Sequence, residues 1–470
     1  MSGLECSEIL LSQVYIDNGS FRYDSEYFDT NNIIVENKLL SMNYTKIDIK
    51  HIASGPFGST LKSSEYLMSD GIPFIRIENI RDGFFINKNG MVFISEKNNN
   101  KISNSELLEG DIIISKVGNT IGCFAKVDKS LKKVNISENN IGIKLREMKE
   151  YEKDYILTFF NSYYGQVVVL RRISGNAQPK LNVSDISDIP IPIFSKIFMK
   201  EISKLISLAY NSKEISIQKY NNSENLLLKN LGLLDYKENE DNVSIKSLSE
   251  SFIRSGRLDS EYYQPKYDEI IGKIKKNKYK RLGDIVEIKK SIEPGSNAYQ
   301  DEGIPFIRVA DLTKYEITMP EIYLDRIKFE KEELKPKKDT ILLTKDGSCG
   351  IAYKVDEDMD IITSGAILHL KINDSEILPD YLTLVLNSIT TKMQVERDAG
   401  GSVIQHWKPS EIEEVLIPIL PIDIQEEIDK DIIDSYRLRK ESKDLLEKAK
   451  RAVEIAIEEG EEQAIRYLGK

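Results

Sequence analysis

Two short loops contain the side chains of this 470-residue chain that are best suited to contacting a ligand. Each loop follows an apolar run and reads Lys-x-Gly, as Lys116-Val117-Gly118 in the first half of the chain and Lys345-Asp346-Gly347 in the second. The apolar run would hold the lysine at the end of a strand, and the glycine would let another backbone approach closely. The ammonium group donates hydrogen bonds and neutralises anions. A solvated loop lysine without a ligand is the alternative interpretation.

The sequence contains none of the short motifs that indicate a catalytic centre. It lacks an Asn/Asp-Pro-Pro-aromatic tetrapeptide for amino-methyl transfer, a Gly-x-Gly nucleoside loop and a phosphate-binding Walker loop. The three histidines show no metal-ligand spacing, and the three cysteines are too far apart for a metal cluster or a disulfide framework. We therefore expect a protein that is not an enzyme, with no catalytic residue, no metal and no cofactor.

The two loops belong to a long internal repeat. The hexapeptide Gly-Ile-Pro-Phe-Ile-Arg occurs at 71–76 and 303–308, and Arg-x-Asp-Ser-Glu-Tyr occurs at 22–27 and 257–262. Further matches keep the same order and pair Lys126-Val127-Asp128 with Lys354-Val355-Asp356, and Gly175, Ser184, Ile186 and Pro192 with Gly401, Ser410, Ile412 and Pro418. The second copy is therefore the same unit with slightly shorter loops. A duplicated unit suggests one function performed at two places.

Each repeat combines short strands with helices. Apolar runs rich in Ile and Val and bounded by turn residues predict strands at Pro73–Ile77, Asp111–Ile114, Ile141–Leu145 and Asp188–Ile193, and at Pro305–Val309, Thr340–Leu343, Ala366–Leu370 and Val415–Leu420. Helical spacing predicts one helix in each repeat, over Tyr155–Leu170 and Tyr381–Val395, each starting after a cap or breaker, Asp154 in the first and Pro379-Asp380 in the second. The irregular alternation predicts mixed α/β (α+β) units rather than a doubly wound sheet.

A long amphipathic helix is predicted after each repeat. The segments 196–235 and 421–470 place apolar residues at three-to-four spacing, with charged residues on the other faces. Each helix could merely cover its own domain; the alternative is that the two helices pair with each other, because both recur at the same place in the repeat. The predicted domains are 1–195, the helix 196–235, a linker with the second repeat over 236–420, and the helix 421–470.

Composition restricts the class of protein further. The chain has no run approaching the roughly 18 apolar residues of a membrane span, and its N-terminus has no signal pattern. We therefore expect a cytoplasmic protein without a membrane partner. The net charge of −11 argues against non-specific binding to nucleic acid but is compatible with a local basic groove.

The duplicated unit resembles the specificity (S) subunit of type I restriction–modification systems. The resemblance is carried by the Arg-x-Asp-Ser-Glu-Tyr-aromatic opening, the hexapeptide, a closing Ile-x-x-Ile/Val-x-Ile-Pro and the long helix behind each copy. Ser54-Gly55-Pro56-Phe57-Gly58-Ser59 also matches a glycine-rich loop that is common in this family, and it is reduced to Pro294-Gly295-Ser296 in the second copy. The motifs extend over nearly the whole chain.

This resemblance implies that each repeat is a target-recognition domain that reads one half of a bipartite double-stranded DNA sequence. The two long helices would pack as an antiparallel coiled coil. The subunit would be non-catalytic and would direct two adenine-N6 DNA methyltransferase (M) subunits and restriction/translocase (R) subunits to the target. The alternatives are a stand-alone DNA methyltransferase or nuclease with diverged motifs, and a scaffold that binds other proteins.

The resemblance also indicates where DNA contacts should lie, because base readers need donors and acceptors and phosphate contacts need cations. The Lys-x-Gly loops and the loops before the last strand offer such side chains. Arg76 and Arg308 either contact phosphate or form structural salt bridges. The predicted contact residues are Lys116, Gly118, Asn119, Thr120, Asn176, Gln178, Lys180 and Arg76 in the first repeat, and Lys345, Gly347, Ser348, Gln405, His406, Lys408 and Arg308 in the second.

Several of these polar residues could instead serve the fold of the chain. Ordinary turn chemistry accounts equally well for Asn, Ser and Asp in the Lys-x-Gly loops. Trp407 either stacks on a sugar or base or packs in the interior. The Arg-x-Asp pairs of the opening motif are Arg22 with Asp24 and Arg257 with Asp259; they are expected to form an intramolecular network or to contact a partner subunit. Recognition is predicted to lie where the two copies disagree.

Overall fold

The computed structural model describes residues 11–16, 22, 24–175, 179–238, 243–400 and 405–469. The chain divides into two compact units: the first unit comprises Met1–Ser212 with Glu441–Lys470, and the second unit comprises Lys213–Lys440. Each long helix therefore contributes one part to each unit. None of the helices in the described ranges is long and apolar enough to span a membrane.

The first unit contains two main sheets. The five-stranded sheet has the order Ile52–Ser54, Asn140–Ile143, Ile112–Ser115, Phe124–Lys126, Phe84–Phe85, and only its last pair is parallel. The four-stranded sheet has the order Val92–Ile94, Ile72–Ile75, Lys133–Ile136, Leu107–Leu108, with a parallel central pair. A short sheet pairs Tyr44–Thr45 with Ile191–Pro192. The strands are rich in β-branched residues, which pack well on a pleated, half-buried surface.

The second unit repeats this plan. One sheet has the order Val286–Lys290, Ile367–Ile372, Ile341–Thr344, Ala352–Lys354, and the other has the order Tyr299–Gln300, Tyr323–Leu324, Ile304–Ile307, Ile362–Thr363. Tyr279–Arg281 pairs with Leu416–Pro418. The repeated hexapeptide forms the same strand in both units, at Ile72–Ile75 and Ile304–Ile307, and each copy has a parallel neighbour. The mixed α/β fold and its duplication are confirmed.

The predicted strands all overlap observed strands. The largest difference is at Asp188–Ile193, where the strand is only Ile191–Pro192 because a short helix, Val183–Ser187, precedes it. Several short strands were not predicted, because runs of two to four residues carry little periodicity.

Each predicted helix of the two repeats is a pair of helices in the structure. The pairs are Glu150–Asn161 with Tyr163–Leu170, and Pro379–Asn387 with Ile389–Asp398. The chain turns at Ser162 and Ser388, whose extended backbones end the first helix of each pair. Their hydroxyls donate to the carbonyls of Phe159 and Val385, both at 2.7 Å. The backbone amides of the two serines donate to the same carbonyls, at 3.0 and 3.1 Å, so each serine closes the last turn of its helix with both groups.

Asp154 is not a helix cap, contrary to the sequence-based prediction. Its helix begins at Glu150, and Asp154 is buried inside it in an ion pair with Lys126. The second unit has the equivalent pair, Lys354 with Asp380, at 2.7 Å. Burial raises the pKa of both carboxyl groups, that of Asp380 to about 6, although the lysines act in the opposite direction.

The remaining described helices are shorter connectors or cover the sheets. They are Leu11–Ile16, Thr30–Leu40, Glu96–Lys101, Phe252–Ser255, Pro265–Lys275, Leu282–Ile285, Arg326–Phe329, Pro409–Glu413 and Glu461–Tyr467.

The arginine of the opening motif makes hydrogen bonds within its own unit in both copies. Arg22 Nε donates to Asp24 at 2.7 Å, and its Nη1 donates to the carbonyl of Ile173 at 2.6 Å. Arg257 likewise donates to Asp259 at 2.9 Å and to the carbonyl of Asp398 at 3.3 Å. These contacts confirm the predicted intramolecular network.

The two long helices pack against each other in antiparallel orientation. They are Lys196–Asn230 and Ile422–Glu458. In the second unit, Ser435 Oγ donates to the carbonyl of Ser216 at 2.8 Å, and Ser223 Oγ donates to that of Ile428 at 3.4 Å. Residue numbers rise along one helix as they fall along the other, so the predicted antiparallel pairing is confirmed.

Polar contacts fix the register of this helix pair. Lys219 lies between Asp431 and Asp434, at 2.7 and 3.0 Å, and its hydrogen bonds to both raise its pKa. In the first unit, Ser442 Oγ donates to the carbonyl of Ala209 at 2.7 Å. Small side chains at these contacts let the two backbones come close, and a shifted register would leave the serine hydroxyls buried without partners.

The largest apolar core of each unit includes both long helices. In the first unit Phe198 and Val453, one from each helix, are fully buried, and in the second unit Leu227 and Ile428 are the corresponding pair. Burying one such side chain contributes about 1.5–3 kcal/mol. The helix pair is therefore part of each unit's core and not a separate rod.

Candidate nucleic-acid interface

In the first unit, the Lys-x-Gly loop lies against the loop that precedes the last strand. Lys116 follows the strand Ile112–Ser115, and its carbonyl accepts a hydrogen bond from Leu181 N at 3.0 Å. Val117 forms a β-bridge with Lys180. Gly118 has φ +75°, a conformation that a residue with a side chain adopts only with strain. Two segments distant in sequence thus form one surface.

Lys116 and Lys180 concentrate positive charge on this surface. The Lys116 ammonium donates to Ser54 Oγ at 2.9 Å, and Lys180 is exposed. Burial lowers the pKa of Lys116, the neighbouring charge of Lys180 lowers it further, and Glu138 acts in the opposite direction. Because the two ammonium groups repel each other, an anion or a base acceptor placed between them would stabilise both.

Other predicted residues of the first unit differ in their availability. Gly118 and Asn119 are exposed at the turn. Thr120 is 9% exposed, and its hydroxyl lies 2.8 Å from Ser115 Oγ. Thr120 therefore supports the loop from within and is poorly placed to contact DNA. Asn176 and Gln178 lie outside the described residues.

The second unit forms the same pair of loops. Trp407 N donates to the carbonyl of Lys345 at 2.8 Å, and Asp346 forms a β-bridge with His406. Gly347 has φ +74°, nearly the value of Gly118, so both loops turn in the same way. A Cβ on Gly347 would meet no atom within 4 Å. Lys345, His406 and Trp407 therefore occupy the positions that Lys116, Lys180 and Leu181 hold in the first unit.

Charge is compensated in the second loop pair. Asp346 accepts a hydrogen bond from the Lys345 ammonium and another, at 2.8 Å, from His406 Nδ1. Burial opposes ionisation of Asp346, but these two bonds outweigh it, and the pKa of this carboxyl group is lowered. The Lys345 side chain is only 13% exposed. This unit thus presents a lysine–carboxylate–imidazole cluster where the first unit presents two lysines.

The remaining predicted residues of the second unit are mostly exposed. Gln405 and Ser348 are exposed beside the turn. Lys408 is 74% exposed, with its ammonium 3.3 Å from Glu411. Trp407 is 1% exposed and packs in the core, so of its two interpretations packing is correct. Its indole N–H has no hydrogen-bond partner among the described residues.

Arg76 and Arg308 make structural contacts at the end of the repeated hexapeptide. Arg76 Nη2 lies 2.9 Å from Glu78 and donates to the carbonyl of Gly90 at 3.0 Å. Arg308 N donates to Asp311 at 2.8 Å, and its guanidinium lies 3.8 Å from the same carboxylate. The structure thus shows the salt bridges. DNA contact by either arginine stays a prediction.

Three features of these surfaces were not predicted from the sequence. Ser54 Oγ accepts a hydrogen bond from the Lys116 ammonium, and Glu138 lies close enough to raise the Lys116 pKa. Asp346 is hydrogen-bonded to both Lys345 and His406. Ser54 and Asp346 lay in motifs identified from the sequence, but Glu138 did not. Cys123 and Cys349 are half-buried, and burial raises the pKa of both thiols, that of Cys349 to about 11. Among the described residues, no cluster of His, Cys, Asp or Glu could hold a metal ion.

The family comparison agrees with the predicted class. Residues 274–448 match the family model described as type I restriction modification DNA specificity domain. This segment covers most of the second unit, and the match confirms the resemblance that the repeated motifs predicted. Residues 274–448 are therefore similar to a type I restriction modification DNA specificity domain.

Three solved structures are similar over most of their length. The type I restriction-modification system S subunit from M. genitalium is 14% identical, with 91% of this chain and 96% of that chain covered and a TM-score of 0.38. The HsdS subunit from Thermoanaerobacter tengcongensis is 13% identical, with 89% and 97% covered and a TM-score of 0.28. A structure from a study of complex assembly in the type I R-M system is 14% identical, with 91% and 97% covered and a TM-score of 0.29. The superpositions are loose, so the assignment rests on the family match.

Proposed function

We propose that the chain recognises a bipartite double-stranded DNA target, with one half-site read by each unit. The supporting observation is the pair of equivalent loop surfaces. Both keep the lysine after the strand and the glycine turn, but they differ at the positions of Val117 and Asp346, and of Lys180 and His406. A shared frame with different side chains at its surface is what the reading of two different half-sites requires.

The side chains differ in the bases that they can recognise. In the first unit, Lys116 and Lys180 are donors only, which suits guanine O6 and N7 or a backbone phosphate. In the second unit, Asp346 accepts hydrogen bonds and would suit the amino group of cytosine or adenine, once DNA competes with Lys345 or His406 for its oxygens. We therefore propose that the two halves of the target differ in sequence.

The proposed role in a larger complex rests on the specificity class. The chain would direct two adenine-N6 DNA methyltransferase subunits, and restriction/translocase subunits, to the bipartite site. The paired long helices would connect the recognition units and set the spacing of the half-sites. Because duplex DNA is the proposed ligand, we expect the protein to act in the cytoplasm.

The first test is to ask whether a neighbouring gene encodes an adenine methyltransferase with an Asn-Pro-Pro-aromatic motif, which we expect. The second is to express the chain with that enzyme and to sequence the methylated adenines of the host DNA. We expect one bipartite motif. The purified complex should bind a duplex with this motif more tightly than a shuffled duplex, and Lys116→Ala or Lys345→Ala should weaken that preference. Lys50→Ala, which removes an exposed lysine paired with Asp48, is the matched control.

Equal affinity for both duplexes would contradict the proposal. S-adenosylmethionine binding by the isolated chain would instead support a methyltransferase with diverged motifs. If both lysine variants kept full sequence preference, the residues assigned to the DNA surface would be wrong.

A further inference from the structure

Phe57 is an aromatic side chain held almost entirely in solvent. It is 87% exposed, whereas the next aromatic side chains of the described residues, Phe252 and Tyr163, are 48% exposed. Single exposed apolar residues are common and need no function by themselves. The surroundings of Phe57 distinguish it from that ordinary case.

The backbone around Phe57 is fixed. Gly55 N donates to the carbonyl of Asn140 at 3.0 Å, and a Cβ on Gly55 would lie 1.8 Å from the carbonyl oxygen of Ser137. On the other side, Thr60 N donates to the carbonyl of Phe57 at 2.8 Å and closes a turn. The ring is therefore presented by a pinned loop, which lowers the entropy that binding would cost.

The same loop borders the cationic surface of the first unit. It continues directly from Ser54, the residue that accepts the Lys116 ammonium. A Cβ on Gly58, next to Phe57, would lie 3.6 Å from the carboxylate of Glu138, whose charge affects the pKa of Lys116. The loop that carries Phe57 therefore begins at a residue that contacts the Lys116 ammonium and passes beside Glu138.

The second unit has no counterpart to this ring among its described residues. Its strand Val286–Lys290 leads into a loop without an aromatic residue before Tyr299, and Gly295 and Ser296 are exposed at its turn. This loop instead carries a carboxylate, that of Glu293, whose Oε2 would lie 3.0 Å from a Cβ on Gly365. At this place the first unit therefore has an exposed aromatic ring and the second unit has a carboxylate.

We propose that Phe57 is a specificity-determining wedge that enters a base-pair step of the half-site bound by the first unit. This inference rests on the proposed function. Phenylalanine wedges partially unstack base steps, and the energy of unstacking depends on the step, so such a contact reads sequence through deformability. Lys116 and Lys180 would hold the adjoining backbone or base edges. The second unit reads its half-site without a wedge.

The test uses the full chain in complex with its methyltransferase partner and a duplex that carries the methylated motif. 2-Aminopurine replaces each base of the first half-site in turn, because its fluorescence rises when it is unstacked. Methyltransferases extrude their target adenine, so the two methylated adenines are left unsubstituted. At the other positions we expect a rise at one step of the first half-site on binding, and no rise at any step of the second half-site. Phe57→Ala should abolish the rise and weaken binding about tenfold. Phe57→Leu should keep most of the signal, because an aliphatic side chain also acts as a wedge.

Salt dependence separates the wedge from an ionic contact. Phe57→Ala should leave the slope of log affinity against log salt unchanged, whereas Lys116→Ala should reduce it by about 0.9 for each phosphate that the protein no longer neutralises. Ile197→Ala removes another exposed apolar side chain of the first unit and should change neither quantity.

A wild-type complex without any 2-aminopurine signal in the first half-site would overturn the wedge. So would Phe57→Ala binding like wild type while Lys116→Ala binds weakly, and the proposed function would then still stand. Loss of the methyltransferase partner from Phe57→Ala in gel filtration would assign the ring to a protein interface and also overturn the wedge. If Lys116→Ala and Lys345→Ala both bound normally, the proposed DNA surface itself would fail.

Discussion

The equivalent lysines of the two units, Lys116 and Lys345, have neighbours of opposite charge. Lys116 has a second lysine, Lys180, as its neighbour, and burial and this neighbour lower its pKa. Lys345 is held by Asp346, which also binds His406. The frame is the same in both units, so the difference arises from side chains at two positions of a β-bridge. The backbone contacts that hold the two loops together are the same in both copies, whereas the side chains on their surface differ.

The interior of the units shows the opposite behaviour. Tyr155 and Tyr381 each donate a hydrogen bond to a proline carbonyl, of Pro192 and Pro418, and both distances are 2.7 Å. Such interior contacts were retained in both copies, whereas the loop surfaces were not. The contrast between interior and surface can be tested directly.

The largest effect is expected at the residue behind the second loop. Trp407→Ala should reduce the free energy of unfolding by about 3–5 kcal/mol, because it removes a large side chain that is 1% exposed. Alanine keeps the backbone amide that bonds to the Lys345 carbonyl, but the indole packing that holds this segment in place is lost, so sequence-specific binding should fall as well. Denaturant unfolding followed by circular dichroism measures the stability, and Trp407→Phe should lose much less. A marginal effect of Trp407→Ala would show that the loop does not depend on this packing.

The next largest effect is expected on DNA affinity, and it should differ between Lys116→Ala and Lys345→Ala. Lys116→Ala should weaken binding to the target about tenfold, since it removes a charge with no carboxylate hydrogen-bonded to it in the described structure. Lys345→Ala should weaken binding less, because Asp346 already compensates this charge. Fluorescence anisotropy over a range of salt concentrations measures both affinity and slope. Equal losses and equal slopes in the two variants would contradict the proposed difference between the units.

A smaller and equal effect is expected in the shared interior. Tyr155→Phe and Tyr381→Phe should each cost about 1 kcal/mol of unfolding free energy, because each leaves a buried carbonyl without its hydrogen bond. Denaturant unfolding of both variants measures the two costs, and neither variant should change the methylated motif. A clear difference between the two costs would mean that the interior has diverged as well.

The smallest effect is expected at the carboxylate of the second loop. Asp346→Asn should raise affinity for a shuffled duplex about threefold, because the Lys345 ammonium would no longer be paired with a carboxylate. Affinity for the target should not rise, so discrimination should fall. Competition binding with both duplexes measures this ratio, and unchanged discrimination would remove Asp346 from base recognition.

The frame was predictable from sequence because it is local and repeated. The hexapeptide, the apolar runs and the helical spacing each specify an element from neighbouring residues, and two copies doubled the signal. The helix pairing followed from the same repeat. The sequence did not predict contacts between residues that are distant along the chain. Asp154 resembled a helix cap but forms an ion pair with Lys126. Nothing in the sequence around Asp346 indicated its hydrogen bond with His406. The burial of Trp407 and of the Thr120 hydroxyl depends on the same tertiary contacts.

The central claim is that the residues where the two loops differ determine the two halves of the target. The direct measurement replaces Val117→Asp together with Lys180→His, so that the first unit carries the pattern of the second, and then sequences methylated adenines in cells that express the variant with its methyltransferase partner. We predict a change in the first half of the motif and none in the second. An unchanged motif, or a change in both halves, would contradict the claim.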